Sequence, residues 1–429
     1  MSPRKAPTPR TLPPRRRAEL PSPGFVLFDD ATGRTFEPFA LTRPLGETRV
    51  GAMLVRERWA RVLGLPATAF VSSAHLAPFD EPGAPRSVRK RIAAGTMLVN
   101  TRFLPALDSS IGPLAAGNAV RIGRGVAAVV LTEDLDASAL SDGAFDLASL
   151  AKRGGLVTRG WRLDAAWDIV RLLPDMLTAD AAVLARDIAA EPPAHVQVLG
   201  AHRLAVEPGA HLEPYVVVDT TAGDVVVRAG ARVGAFARIA GPAVIGEHTQ
   251  VAGGRYSCVS LGPQCRTCGE MSVVVMTGYA NKGHDGFIGH SVIGRWANLG
   301  AGTITSNLKN SYGTVRVRDG HGEHDTGMQF LGSLIGDHVK TAIGTRLMTG
   351  TIVGAGANVF GDRSPGKHVP PLAWGDRAPF ATYETDKFLD VARLVMKRRD
   401  VTLGAGMRAV LRAAAAASAP PRSRRGGTR

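Results

Sequence analysis

His284 stands fourteen residues before Asn298, and Asn307 follows nine residues later. An imidazole exchanges its proton near neutral pH and can act as a general base, and carboxamides orient polar substrates without adding charge. Between the asparagines runs "NLGAGTIT" (298–305), whose glycine corners leave backbone N–H groups open to a developing oxyanion. An amine attacking a thioester needs these parts: a proton acceptor, oxyanion donors and amides that hold the acceptor molecule. A surface histidine at a turn is the competing reading of His284 taken alone.

The elements that would carry these residues follow from the aliphatic period. Val227, Val233, Ile239, Ile245 and Val251 stand six apart, as do Val206, Leu212 and Val218. Ile335, Leu347, Val353 and Val359 keep the same interval, with Thr341 as its polar member. Small residues follow many of them, as in Val233-Gly234, Ile245-Gly246 and Leu299-Gly300. Neither a 3.6-residue nor a two-residue period produces this, so the pattern predicts a left-handed parallel β-helix of hexapeptide repeats over 196–375. The aliphatic residue points inward and the small one turns the corner. The period fails between about 305 and 334, which predicts a loop ejected from the prism.

Residues 24–192 alternate strand and helix patterns and predict an α/β domain. "FVLFDD" (25–30), "TMLVN" (96–100) and "VAAVVL" (126–131) read as buried strands. Ala52, Val55, Trp59 and Val62 line one side of a helix, and a second helical pattern from Leu163 to Ile188 has Pro174 as its break or start. A C-terminal helix is expected over 380–411, packed on the last coil or a neighbouring subunit.

The stretch "HDGFIGHSVIGRWANLGAGTITSNLKN" (284–310) resembles the acetyltransferase domain of the bifunctional bacterial enzyme family that makes UDP-N-acetylglucosamine. That family joins a glucosamine-1-phosphate acetyltransferase to an N-acetylglucosamine-1-phosphate uridylyltransferase. The resemblance implies that His284 is the catalytic base and that Asn298 and Asn307 hold the amino-sugar phosphate. It places Ala301 and Gly302 beside the acetyl-CoA site and Glu270 near the sugar, and it implies a homotrimer with the acyl-CoA site between prisms. Phe287 and Leu308 replace family tyrosines, and Lys309 replaces an aspartate and adds a positive charge to the sugar pocket.

"FVLFDD", "LTRPLGETRVG" and "VRERW" resemble a subgroup of sugar nucleotidyltransferases related to the same enzyme. The general family's Gly-rich phosphate loop is missing. What the resemblance leaves for a nucleoside triphosphate, a sugar phosphate and Mg2+ is Arg43 as a phosphate contact, with Asn100, Arg102 and Asp168 lining the pocket. Asn100 stands where the family offers a magnesium-binding aspartate. The readings kept open are a fused nucleotidyltransferase and acyltransferase, a nucleotidyltransferase alone, and a non-catalytic sugar-nucleotide-binding protein with the β-helix as a trimerisation scaffold.

The net charge of +15 does not make a nucleic-acid-binding surface. Residues 1–23 carry six Lys/Arg against one Glu, and residues 412–429 carry five Arg and no acid, so two thirds of the excess sits in basic tails expected to be disordered. No apolar run is long enough for a membrane span, and the three cysteines suit a reducing, cytoplasmic setting. Cys265-Arg-Thr-Cys268 has no second pair to complete a zinc site, and His321 and His324 read as loop histidines.

Overall fold

The computed structural model describes residues 24–417 except Arg89, Arg153, Ala190 and Glu191. The tails expected to be disordered, 1–23 and 418–429, lie outside the described residues.

The first domain is built on a seven-stranded mixed sheet. Phe25–Phe28 lies inside it, parallel to both Ala67–Val71 and Met97–Asn100, and the antiparallel strand Gly125–Val130 follows on the other side of Met97–Asn100. Phe25 and Leu27 pack into one core with Trp59 and Val62, while Val26 and Phe28 join Leu98, Val129 and Leu140 in a second core on the opposite face. Burial on both faces explains the unbroken apolar run of the strand. Helix α1 (Val55–Leu63) begins where the Glu57 carboxylate accepts from Leu54 N at 3.0 Å and ends at Gly64 in the left-handed conformation. The second helical stretch divides into α2 (Asp168–Arg171) and α3 (Leu173–Arg186), with Pro174 in the first turn of α3, where its missing N–H costs nothing.

From Gln197 the chain winds as a parallel β-solenoid of three faces. The second face counts ten strands from His211–Leu212 to Ala381–Thr382, all parallel but the last. The inward row of the first face includes Val227, Ile245, Leu261, Ile293, Ile335 and Val353, all buried in the prism core. Its outward row is apolar too: Val226, Val244, Val275, Val292, Leu334 and Ile352 belong to the core of the first domain. Helices α2 and α3 lie across this face. Each aliphatic side chain so covered stabilises the junction by about 1.5–3 kcal/mol.

Three middle coils turn from the third face to the first through one residue with positive φ: Cys258 (+52°), Val273 (+55°) and His290 (+47°). A branched residue such as Val273 is strained there, and packing of Cys258 and Val273 against the first-domain core holds the turn.

The ejected segment folds as an antiparallel hairpin, Arg316–Asp319 with Gly322–Asp325, and returns to the prism at Ser333. It docks on the first domain. Arg171 donates to Thr326 O at 2.6 Å, and Trp167 packs on His324 with ring centroids 5.8 Å apart. His324 also meets Asp319 at 3.0 Å.

The C-terminal stretch differs from the single helix expected. It forms α4 (Thr385–Lys397) and α5 (Ala405–Ala417), so the start of the expected tail, 412–417, is helical. Phe388 of α4 packs edge-on against His338 of the prism, whereas α5 returns to the first domain, its Gly406 and Met407 N–H groups capped by Asp80 at 2.9 and 2.6 Å. Among the described residues no helix is long and apolar enough to cross a membrane.

Candidate functional site

The second and third faces meet at an edge made of turns, and His284 stands exposed on one of them, between Asn281–Lys282 and Phe287–Ile293. Adjacent coils place Val251, Thr267 and Leu299 inside the prism, but this coil places Lys282 there, fully buried. Its ammonium needs acceptors, and it finds them in the turn itself. Nζ donates to the carbonyls of His284 and of Asp285, the latter at 2.9 Å. Burial holds the Lys282 pKa below its ordinary value. The lysine fixes the turn that displays the imidazole.

Asn298 lies one coil on, in register with Asn281. Asn281 Nδ2 donates to Asn298 Oδ1 at 3.0 Å, and Asn281 Oδ1 accepts from Arg399 Nη2 at 2.6 Å. A residue just past α4 thus orients a prism amide that orients a second. A groove of about 460 Å³ is lined by His284, Asn298, Ala301, Asn281, Arg266 and Ile343. Ala301 O accepts from Gly344 N at 2.7 Å, and Gly302, at φ +70°, donates its N–H to Asp285 O at 2.9 Å. Gly302 therefore ties its own turn to the turn of His284. The His284 ring makes no hydrogen bond to another described residue.

The other expected residues stand elsewhere. Asn307 lies across the third face, at its edge with the first, where its Nδ2 is 2.8 Å from His290 Nδ1. The amide can only donate through that nitrogen, so Nδ1 accepts and His290 is neutral, in keeping with the downward push that burial gives its pKa. His290 stacks on Phe330 at 5.3 Å. Glu270 faces Arg255 at 3.6 Å beside a separate depression on the third face. Lys309 Nζ donates to Thr314 O at 3.0 Å in the mouth of the hairpin. Three residues of the third face, 287–289, separate the turn of His284 from the corner at His290, so one chain does not bring the imidazole and both carboxamides together.

In the first domain a polar cluster closes the carboxyl ends of Phe25–Phe28 and Met97–Asn100. Arg102 Nε meets both oxygens of Asp30 at 2.8 Å, Asn100 Nδ2 donates to Asp30 Oδ2 at 2.8 Å, and Arg102 Nη1 reaches Leu163 O at 2.9 Å. Burial works to raise the Asp30 pKa, but the Arg102 and Gly33 hydrogen bonds hold it below the ordinary value. Asp29, buried against Leu45 N and the Thr101 hydroxyl, is pushed up by desolvation. Asn100 and Arg102 are thus brought together, but Asp30 already occupies both.

Two expectations are corrected here. Arg43 is not a free phosphate contact: its guanidinium is buried, with Nη2 2.7 Å from Asp337 Oδ2 and 3.3 Å from Glu81 Oε1. It spans the domain junction, and two carboxylates neutralise it. Asp168 does not line an open pocket either. Its Oδ2 accepts from Asp164 and Ala165 N–H at 2.7 and 2.9 Å and its Oδ1 pairs with Arg171 at 2.8 Å, so it closes the turn entering α2.

Sequence reasoning missed Asn281, Lys282, His290 and Arg399. Lys282 had a legible signal, since a lysine occupies a position where the six-residue period demands an inward side chain. Arg399 had none, because its partner is 118 residues away. Of the cysteines, burial pushes the Cys258 thiol up to about 12 and that of Cys265 up to about 11.

Residues 25–188 match the family model described as sugar nucleotidyl transferase. A bifunctional sugar-1-phosphate nucleotidylyltransferase/acetyltransferase of Sulfurisphaera tokodaii is 35% identical over 77 residues, covering 18% of this chain and 19% of that protein. The bifunctional protein GlmU of Acaryochloris marina is 26% identical over 199 residues, 46% of this chain and 38% of its own. That of Synechococcus elongatus is 26% identical over 207 residues, 46% and 39%. The chain therefore spans less than two fifths of the length of the curated relatives it matches. A Bacillus cereus structure assigned as an acetyltransferase overlaps 52% of this chain at 14% identity and a TM-score of 0.21.

In class, then, the chain joins a nucleotidyltransferase-like α/β domain to a hexapeptide β-solenoid. More particularly, over 46% of its length it is similar to the bifunctional proteins named GlmU.

Proposed function

We propose that the chain is a sugar-nucleotide enzyme in which the solenoid moves an acetyl group from acetyl-CoA to an amino-sugar phosphate, with His284 as general base. The observation that supports this best is the groove where His284 faces Asn298 while Lys282 and Asn281 hold the two in place. The amine of the acceptor sugar gives its proton to His284 as it attacks the thioester carbonyl. As the tetrahedral intermediate collapses, the C–S bond breaks and the His284 imidazolium returns the proton to the leaving CoA thiolate. Asn298 binds the sugar's hydroxyls, and the Ala301 N–H faces the oxyanion, while the Gly302 N–H, spent on Asp285 O, holds the turn in place. CoA runs along the same edge past Ile343, which is 78% exposed.

Asn307 enters this scheme through a neighbour. His284 and Asn307 stand at opposite edges of the third face, so the edge of one prism can meet that of the next in a homotrimer and complete the sugar site. Incubating the protein with acetyl-CoA, glucosamine 1-phosphate and a thiol reagent tests the reading, and no release of free CoA would refute it.

For the first domain the reading is sugar-1-phosphate nucleotidyl transfer, supported by the family match and by the cluster at the strand ends. Mg2+ does not fit the residues as arranged. Asp30 is neutralised on both oxygens, and Asn100 is a neutral amide. That mismatch is the one observation that supports the non-catalytic alternative for the N-terminal half, a sugar-nucleotide-binding domain without turnover. Pyrophosphate release from UTP and a sugar phosphate separates the two.

A further inference from the structure

Between the first domain, the prism edge and α4 lies a cleft distinct from both sites above, though Arg399 bonds both Gln264 of its wall and Asn281 of the His284 groove. Its two lobes, about 340 and 260 Å³, share Arg49, Glu57, Glu247 and Pro263. Arg49 is 6% exposed. Its Nε donates to Ser260 Oγ at 2.8 Å, and that hydroxyl donates to Gly51 O at 2.6 Å, so the guanidinium is fixed in place by the outward row of the prism.

The other cations of the cleft are paired. Arg56 meets Glu47 at 2.7 Å, Arg61 meets Asp187 at 2.8 Å, Arg228 meets Glu207 at 3.2 Å and Arg295 meets Glu81 at 3.3 Å. Its acids are taken as well: Glu57 holds Leu54 N, Glu247 meets Arg228 at 3.4 Å, and Glu81 lies between Arg43 and Arg295. Arg49 alone among the arginines lining the cleft has no carboxylate partner among the described residues. Burial holds the Arg49 pKa below its ordinary value although Glu57 and Asp180 act on the charge without an ion-pair contact, so an anion bound against the guanidinium lowers the cost of burying it.

We propose that this cleft is a binding site for the phosphoryl group of a small metabolite, with Arg49 as its principal contact. A planar guanidinium held by one nitrogen can offer its remaining donors in pairs to phosphate oxygens. The lobes give a sugar or nucleoside room beyond the phosphate. Because three parts of the chain wall the cleft, its ligand would clamp the domains together.

The test is calorimetric titration of the full chain at low ionic strength with inorganic phosphate and, separately, glucose 1-phosphate. Wild type should bind at least one of them, and Arg49→Met should weaken it at least tenfold. Arg61→Met, which removes a paired cation from the same cleft, should leave it within about twofold. An ester tenfold tighter than phosphate identifies a phosphometabolite as the ligand, and equal affinities identify the free anion. Should Arg49→Met fail to fold, Arg49→Lys keeps the charge but not the paired donors and should still weaken binding severalfold. No binding by wild type, or equal losses in the Arg49 and Arg61 variants, overturns the proposal.

Discussion

Arg43 of the first domain and Asp337 of the prism form an ion pair, Nη2 to Oδ2 at 2.7 Å, with side-chain exposures of 1% and 0%. Thr42 Oγ1 donates to the same oxygen at 2.8 Å, and Asp337 Oδ1 accepts from Arg295 N at 2.8 Å. Removing one partner of such a pair strands the other in a medium that cannot solvate it. Arg43→Met should cost about 3–5 kcal/mol in denaturant unfolding, and a loss below about 1 kcal/mol would show the junction to be held by apolar contact alone.

Acid should loosen the same junction through two groups. Burial acts to raise Glu81, but Arg295 and Arg43 hold its pKa down at about 2, so its contribution is complete above the unfolded value of about 4.3 and disappears as pH falls toward 2. Burial pushes the imidazole of His338 down to about 3, and neither ring nitrogen has a hydrogen-bond partner among the described residues. Between about 6.5 and 3 the unfolded chain holds a proton that the folded chain does not, so stability falls with pH by about 1.4 kcal/mol per unit. His338→Leu should remove that slope from unfolding titrations, and unchanged slopes would locate the proton elsewhere.

His284→Ala is expected to lower acetyl transfer by roughly 10²–10⁴, the range of a lost general base, with the unfolding midpoint unchanged. Equal turnover by both proteins would take His284 out of the mechanism.

Lys282→Met removes the donor that ties the carbonyls of His284 and Asp285. The expected outcome is a lower kcat while the prism remains folded, because the turn loses its fixed geometry and the imidazole its placement. Hydrogen exchange read at residues 283–286 should quicken in this variant, and no change there would mean that the turn is set by its own backbone.

The six-residue period made the prism readable, since one inward aliphatic per face is a local rule. The first-domain strands were readable for the same reason, in apolar runs closed by Asp29 and Asn100. What the sequence concealed lies between distant residues. "LTRPLGETRVG" looks like a ligand segment because arginines and a proline crowd it, yet Arg43 spends its charge on Asp337 and Glu81 at the domain junction, and Arg49 lines a cleft walled by both the first domain and the prism. The outward row Val226, Val244, Val275, Val292 did leave a trace: aliphatics where a solvated face would carry polar groups. Asn307 is expected to hold the amino-sugar phosphate beside His284, but its hydrogen-bond partner within the chain is His290.

That outward row has one more consequence. With one wall of the triangle sealed by its own chain, copies can stack side by side only through the remaining two walls and the ridge between them, the ridge that bears His284. Severing the chain near residue 192 would uncover a greasy stripe along the whole prism, and the freed half would clump before anyone could assay it.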